Sequence, residues 1–240
     1  MPDRLDVIAV GAHPDDIEIA CGGTLAKLAK QGHKVGIIDL TDGEPTPGST
    51  GPEMRLAESR KAAEILGAAK RITLELPNRR LFDSFEARVA LAKEFRKHRP
   101  RLVIGLGGKT PTASPDHYQA SLITEAAVFY SKLSKWEDHF GDLEPYVVPK
   151  QLECYLSFRD FIPSERSALV IDISDTLETK LTAIGAYVSQ FPPAKAHFCD
   201  RIRAFAIQQG MAAGFAAGEV LGSPTAWGTR DLMGMIFEKR

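Results

Sequence analysis

Apolar and polar positions alternate between two periods along the first 130 residues of this chain. Short runs rich in Val, Ile and Leu, near 5–11, 35–40, 71–76 and 102–106, read as buried strands. Between them, near 17–31, 52–67, 84–98 and 116–134, apolar residues recur at the spacing of one helix face. Further strands are predicted near 151–157 and 168–173, and further helices near 174–190 and 200–219. Strand and helix in strict alternation predict βαβ units. The expected class is therefore α/β: a Rossmann-like open, mostly parallel sheet flanked by helices, with an irregular C-terminal third.

Glycine and proline punctuate this pattern. Gly32-His33 ends one helix before the second strand, and the Gly-, Pro-, Thr- and Ser-rich stretch 41–51 reads as a loop. Pro52 opens the next helix, where its missing N–H costs nothing. Residues 136–150 read as a loop or lid, and Pro192-Pro193 stops a helix. Gly210, Gly214 and Gly218 recur every fourth residue, a spacing that permits close helix packing in the core or at a subunit contact, so a homo-oligomer is open. With no repeat, low-complexity tail or linker, residues 1–240 are expected to form one domain.

Composition narrows the partners. Of 240 residues 44% are hydrophobic, enough for a full core, and 30 basic against 31 acidic side chains leave a mixed net charge of −1. No basic stripe suggests nucleic acid. The N-terminal segment lacks a signal-like apolar stretch and no run is long enough to span a bilayer, so a cytoplasmic protein without a membrane partner is expected. Cys21, Cys154 and Cys199 are odd in number and far apart, which speaks for small buried side chains in a reducing compartment.

The chemistry concentrates at two turns. Ala12-His13-Pro14-Asp15-Asp16 follows the first strand directly, at the carboxyl end of a strand, where ligands of open α/β sheets bind. His13 and Asp16 can both turn toward one cation, leaving Asp15 to handle a proton; the same residues can also form a turn in which Asp caps the helix. Ser114-Pro115-Asp116-His117 follows the fourth strand, and His117 completes a His-Asp-His set. Such a set, with one position left for water, suits zinc or another divalent metal such as Fe²⁺. His33 and His98 sit beside helix ends with basic neighbours and are expected to be solvated, and nothing demands His139 or His197 in the site. Gly22-Gly23 lie inside the first helix rather than in the first turn, so a dinucleotide site is not expected.

Ala-His-Pro-Asp-Asp after the first strand with a later Pro-Asp-His resembles the PIG-L/LmbE family of zinc-dependent N-deacetylases, which remove acetyl from N-acetylglucosamine attached to another group. Within it, Asp39-Leu40-Thr41-Asp42-Gly43-Glu44, the helix beginning Pro52-Glu53-Met54-Arg55, Val170-Ile171-Asp172-Ile173-Ser174, Lys180 and Ala186–Phe191 are similar to the bacillithiol-biosynthesis branch. The resemblance implies His13, Asp16 and His117 as zinc ligands and Asp15 as general base. It also implies Asp116 as a group supporting catalysis beside the metal, Arg55 as a sugar contact and Glu44 as a pocket-bordering residue. Ser114 stands where the family carries a histidine that assists as an acid or oxyanion donor. A hydroxyl can donate a hydrogen bond there but cannot carry a proton at neutral pH. His139, His197, Tyr118 and Lys109 are the alternative donors. The expected function is deacetylation of an N-acetylglucosamine conjugate such as N-acetylglucosaminyl-malate. The alternatives are an amidase acting on a larger acyl or thiol conjugate, and a catalytically impaired metal- and sugar-binding protein.

Overall fold

A computed structural model describes residues 4–156, 169–226, 228, 230 and 231. Five strands and four helices alternate as the pattern requires: β1 (Val7–Gly11), α1 (Asp16–Lys30), β2 (Val35–Asp39), α2 (Pro52–Leu66), β3 (Lys70–Thr73), α3 (Phe85–His98), β4 (Leu102–Leu106), α4 (Asp116–Tyr130) and, after a short α5 (Glu137–Phe140), β5 (Lys150–Cys154). The chain then runs through β6 (Leu169–Asp172), α6 (Leu177–Gly185), α7 (His197–Met211) and β7 (Gly218–Gly222). Positions 157 and 168, the outer ends of two predicted strands, lie outside the described residues.

The seven strands are ordered β3-β2-β1-β4-β5-β7-β6, with β1 to β5 parallel and β7 antiparallel to both its neighbours. β1 is central: Ala9 lies between Ile37 of β2 and Ile104 of β4, and all five of its residues are buried. Strands covered on both faces need continuous apolar runs, which is why these segments read so plainly. α1 packs with α2 and α6, while α3 packs with α4. The strand order reverses between β1 and β4, and open α/β sheets open a ligand crevice at the carboxyl ends of such a pair.

Two predicted elements differ. The helix expected over 200–219 is two elements, α7 and β7. Gly210 and Gly218 sit back to back between them: a Cβ on Gly210 would lie 2.6–2.8 Å from the Ala217 backbone. Gly214, at φ +80°, makes the turn. The three glycines thus serve contacts and a reversal inside the chain. The helix expected over 174–190 is the shorter α6, followed by turns to Pro192.

The Gly22-Gly23 pair also has a packing role. α1 kinks at Cys21 (φ −145°, ψ 23°), which frees amides in the next turn. Glu219 of β7 accepts from Gly23 N (3.0 Å), Thr24 N (2.7 Å) and Thr24 Oγ1 (2.6 Å), and Lys180 Nζ neutralises it at 2.6 Å. A Cβ on Gly23 would stand 2.7 Å from Ile173. Lys180 and Glu219 are both buried, so removing one leaves the other uncompensated. Glu219→Ala should destabilise the fold by about 3–5 kcal/mol in urea unfolding. Breaking the exposed Arg203–Glu178 pair with Arg203→Ala should cost less than about 1 kcal/mol.

Candidate metal centre and active site

The turn from β1 into α1 is built around one carboxylate. Asp16 Oδ2 accepts the N–H of Ala12 and of His13, both at 2.9 Å, folding the turn over the strand end. Asp15 is forced to φ +106°, a conformation that costs a non-glycine residue roughly 1–3 kcal/mol and persists only where its surroundings hold it. Arg55 of α2 holds it. Its Nη2 donates to Pro14 O (2.6 Å) and to Asp15 Oδ2 (3.2 Å), and the guanidinium lies over the Tyr187 ring. Asp15 occupies the N-cap position, yet no side chain caps the helix there, so the capping alternative does not describe it. Gly43, at φ +77°, lets the 41–44 segment lie against Arg55, where a Cβ would be 3.1 Å from Nε.

The first turn of α4 meets this turn across the switch point. His117 Nε2 is 3.3 Å from Asp16 Oδ1, and His13 Nδ1 is 3.5 Å from Asp16 Oδ2. Each imidazole has its other nitrogen engaged: His13 Nε2 with Asp116 Oδ2 (3.3 Å), His117 Nδ1 with Thr110 Oγ1 (2.8 Å). Asp116 is itself held by the backbone N–H of Arg79 at 2.7 Å, and Arg79 takes a left-handed φ of +63° to present it. One donor atom from each of His13, Asp16 and His117 lies within 4.8 Å of the others. Ligands about 2.0–2.1 Å from a tetrahedral ion stand roughly 3.3 Å apart, close to the spacing seen. The outer hydrogen bonds orient both rings as metal sites require. The donor set fits a divalent metal.

Charge and burial set the protonation of the cluster's side chains. Burial opposes a charge on His13, but Asp16, Asp116 and Asp15 outweigh it and push its value up to about 10. Burial likewise opposes charge on Asp16, while His117 and His13 hold its carboxyl well below the usual range. Asp15 goes the other way: burial raises it to about 7, with Arg55 opposing and Asp16 assisting. Two adjacent carboxylates are thus split into an ionised one and one that titrates near neutrality.

Residues 8–128 match the PIG-L family, described as GlcNAc-PI de-N-acetylase. The chain is 32% identical over 199 residues to the diacetylchitobiose deacetylase of Thermococcus kodakarensis, covering 79% of this chain and 72% of that one. This chain belongs to the PIG-L family. The 1D-myo-inositol 2-acetamido-2-deoxy-alpha-D-glucopyranoside deacetylase of Mycobacteroides abscessus is 25% identical, over 77% of this chain and 81% of its own. Among solved structures, a conserved protein from Thermus thermophilus superposes with a TM-score of 0.83 at 33% identity, over 94% of this chain and 97% of that one.

In this PIG-L chain the cavity at the His-Asp-His cluster measures about 340 Å³ and is lined by His13, Asp15, Asp16, Arg55, Ser114 and His117 of the predicted set. Asp116 stands behind His13, and Ser114 Oγ accepts the Asp116 N–H at 3.3 Å. Glu44 lies outside this lining: Thr46 occupies its carboxylate, and it borders a neighbouring cleft. The alternative donors are elsewhere. His139 packs against Phe85 and Trp136, His197 is exposed at the start of α7, and Lys109 lies over the Tyr118 ring. His98 is fully buried beside Glu94 rather than solvated.

Sequence reasoning missed Asn78, Arg79, Gln190 and Phe198, which also line the cavity. The Pro77-Asn78 turn after β3 ends a parallel strand at the same edge of the sheet, a cue that pointed here. Phe198 offered none. In chelator competition, Asp16→Ala and His117→Ala should lose stoichiometric binding of divalent metal. Asp116→Asn should weaken it by about 10–100-fold, the usual effect of removing a partner behind a ligand.

Proposed function

We propose that this protein removes the acetyl group from the N-acetylglucosamine unit of a conjugate, with zinc as the metal held by His13, Asp16 and His117. The observation that carries this reading is the convergence of that donor set and the Asp15 carboxylate on one cavity. Zn²⁺, or another divalent ion such as Fe²⁺, bound there would supply Lewis acidity toward the acetamide oxygen and toward water. Asp15, held by one guanidinium N–H and titrating near neutrality, takes a proton from the attacking water. That proton passes to the departing sugar nitrogen as the C–N bond breaks, giving acetate and a free amine. Arg55 fixes Asp15 through Nη2, and its side chain lines the cavity in which the sugar would lie.

Three conjugates follow as candidate substrates. The sequence resemblance suggests N-acetylglucosaminyl-malate, while the relatives' names suggest diacetylchitobiose and the inositol glycoside. Metal-loaded protein should release acetate from at least one of them. Asp15→Asn should lower kcat by about 10²–10⁴-fold while metal content is retained. A base works only when deprotonated, so kcat/KM should fall on the acid side as Asp15 takes up a proton, on a limb lying below about 7 because a bound cation favours the carboxylate. Absence of acetate from all three conjugates would end this reading.

Ser114 favours a second reading, a metal- and sugar-binding protein with impaired turnover. No imidazole replaces the missing one among the described residues that line the cavity, so a hydroxyl is left as the donor at that position. An oxyanion donor is worth about 10²–10³ in rate. A gain of that order in Ser114→His would support impairment; an unchanged or lower rate would show chemistry adapted to serine.

A further inference from the structure

Tyr187 is the largest fully buried side chain among the described residues. A phenol in such a position needs a partner for its hydroxyl, and it donates to Glu18 Oε1 at 2.7 Å. Its backbone is held as well, since Tyr187 O accepts the N–H of Gln190 (3.0 Å) and of Phe191 (2.8 Å). The ring therefore has a fixed place, and two cations lie over it. The Arg55 guanidinium is 5.5 Å from its centroid and that of Arg71 is 6.0 Å. A desolvated cation is held more strongly by a ring face than an exposed one. Arg55 depends on this contact. Its Nη2 alone reaches Pro14 O and Asp15 Oδ2, while Nε and Nη1 are buried and make no hydrogen bond among the described residues. A planar fork tied through one nitrogen needs packing on its face to stay aimed.

We infer that Tyr187 is a positioning residue for the deacetylation: its ring holds the Arg55 guanidinium against Asp15 and so keeps that carboxylate aimed at the attacking water. The inference rests on the function proposed above and adds to it a residue outside the cavity lining. Asp15 needs such support. At φ +106° its backbone is strained, and the 3.2 Å contact from Arg55 is a long tether for a charged pair. The metal ligands do not depend on it, because Asp16 is held by the Ala12 and His13 amides and His117 by Thr110. Loss of the ring should therefore cost turnover while leaving the metal in place. Glu18 completes the support, since it receives the Tyr187 hydroxyl and Arg71 Nη1 on the same oxygen.

Steady-state kinetics of the zinc-loaded protein, on a conjugate from which it releases acetate, test this. Tyr187→Leu, which removes the ring, should lower kcat by about tenfold. KM should stay within about threefold, and about one zinc per chain should remain bound. Tyr187→Phe, which keeps the ring and loses the hydroxyl, should recover most of the lost rate. In an Arg55→Lys background no planar guanidinium is left to lie on the ring, so Tyr187→Leu should lower kcat by less than about twofold further. Leu181→Ala is the control for lost stability, because it opens a cavity in the apolar cluster of α6, Ile173 and Ile202. It should lower the melting temperature and leave kcat below the transition unchanged. Should Tyr187→Leu fail to fold, Tyr187→Met removes the ring with a more adaptable side chain and is read in the same way. An unchanged kcat without the ring, an equal loss in both Arg55 backgrounds, or a matching loss in Leu181→Ala would overturn the inference. Acetate release by the unsubstituted protein is read first. Its absence from all three conjugates removes the proposed function and this role with it. Release that is indifferent to the Tyr187 ring removes this role alone and leaves the deacetylase.

Discussion

The carboxylate of Asp16 is the interaction on which the rest of the site depends. Its Oδ2 gathers the amides of Ala12 and His13 and so closes the turn between β1 and α1. Its Oδ1 faces His117 from the other side of the crevice. One side chain therefore shapes the loop and supplies a donor to the cluster. The strain at Asp15 follows from the same closure, and Arg55, itself backed by the Tyr187 ring, offsets it. A substitution at Asp16 removes the geometry of the turn and the carboxylate donor together.

Beneath this turn the protein keeps its charges paired. Arg71 of β3 is buried and binds Asp39 through Nε and Nη2, at 2.7 and 2.8 Å, while Nη1 reaches Glu18 of α1. Tyr187 donates to the same Glu18 oxygen at 2.7 Å. Burial works against the Arg71 charge, but Asp39 and Glu18 hold its value well above the ordinary one. This network ties β2, β3 and α1 together directly behind the crevice. Breaking a buried network of this kind costs far more than loosening a surface pair, which makes the crevice rigid where its ligands must not drift.

The first half of the fold was legible because its physics is local. Strands buried on both faces need unbroken apolar runs, and the helices between them need one apolar stripe, so β1 to β4 and α1 to α4 could be read directly from periodicity. His13, Asp16 and His117 were legible for a related reason: both turns sit at the carboxyl ends of β1 and β4, which the topology makes neighbours. β7 was not legible. Its residues, Gly218–Gly222, follow an Ala- and Gly-rich stretch with helical spacing, and what makes them a strand is antiparallel pairing with β5 and β6. The kink of α1 and its capture by Glu219 join residues 195 apart, and no local pattern announces them. Arg79 is similar: its function in the structure belongs to its backbone amide, which carries no signature of residue type.

The central claim is that these three ligands and Asp15 form one metal-dependent deacetylation centre. Titrating zinc into metal-stripped protein while recording acetate release from each of the three candidate conjugates tests it most directly. The account predicts release that rises in proportion to bound zinc and levels at about one ion per chain. Undiminished release from metal-stripped protein would contradict it, as would a chain carrying one zinc at this site that releases no acetate.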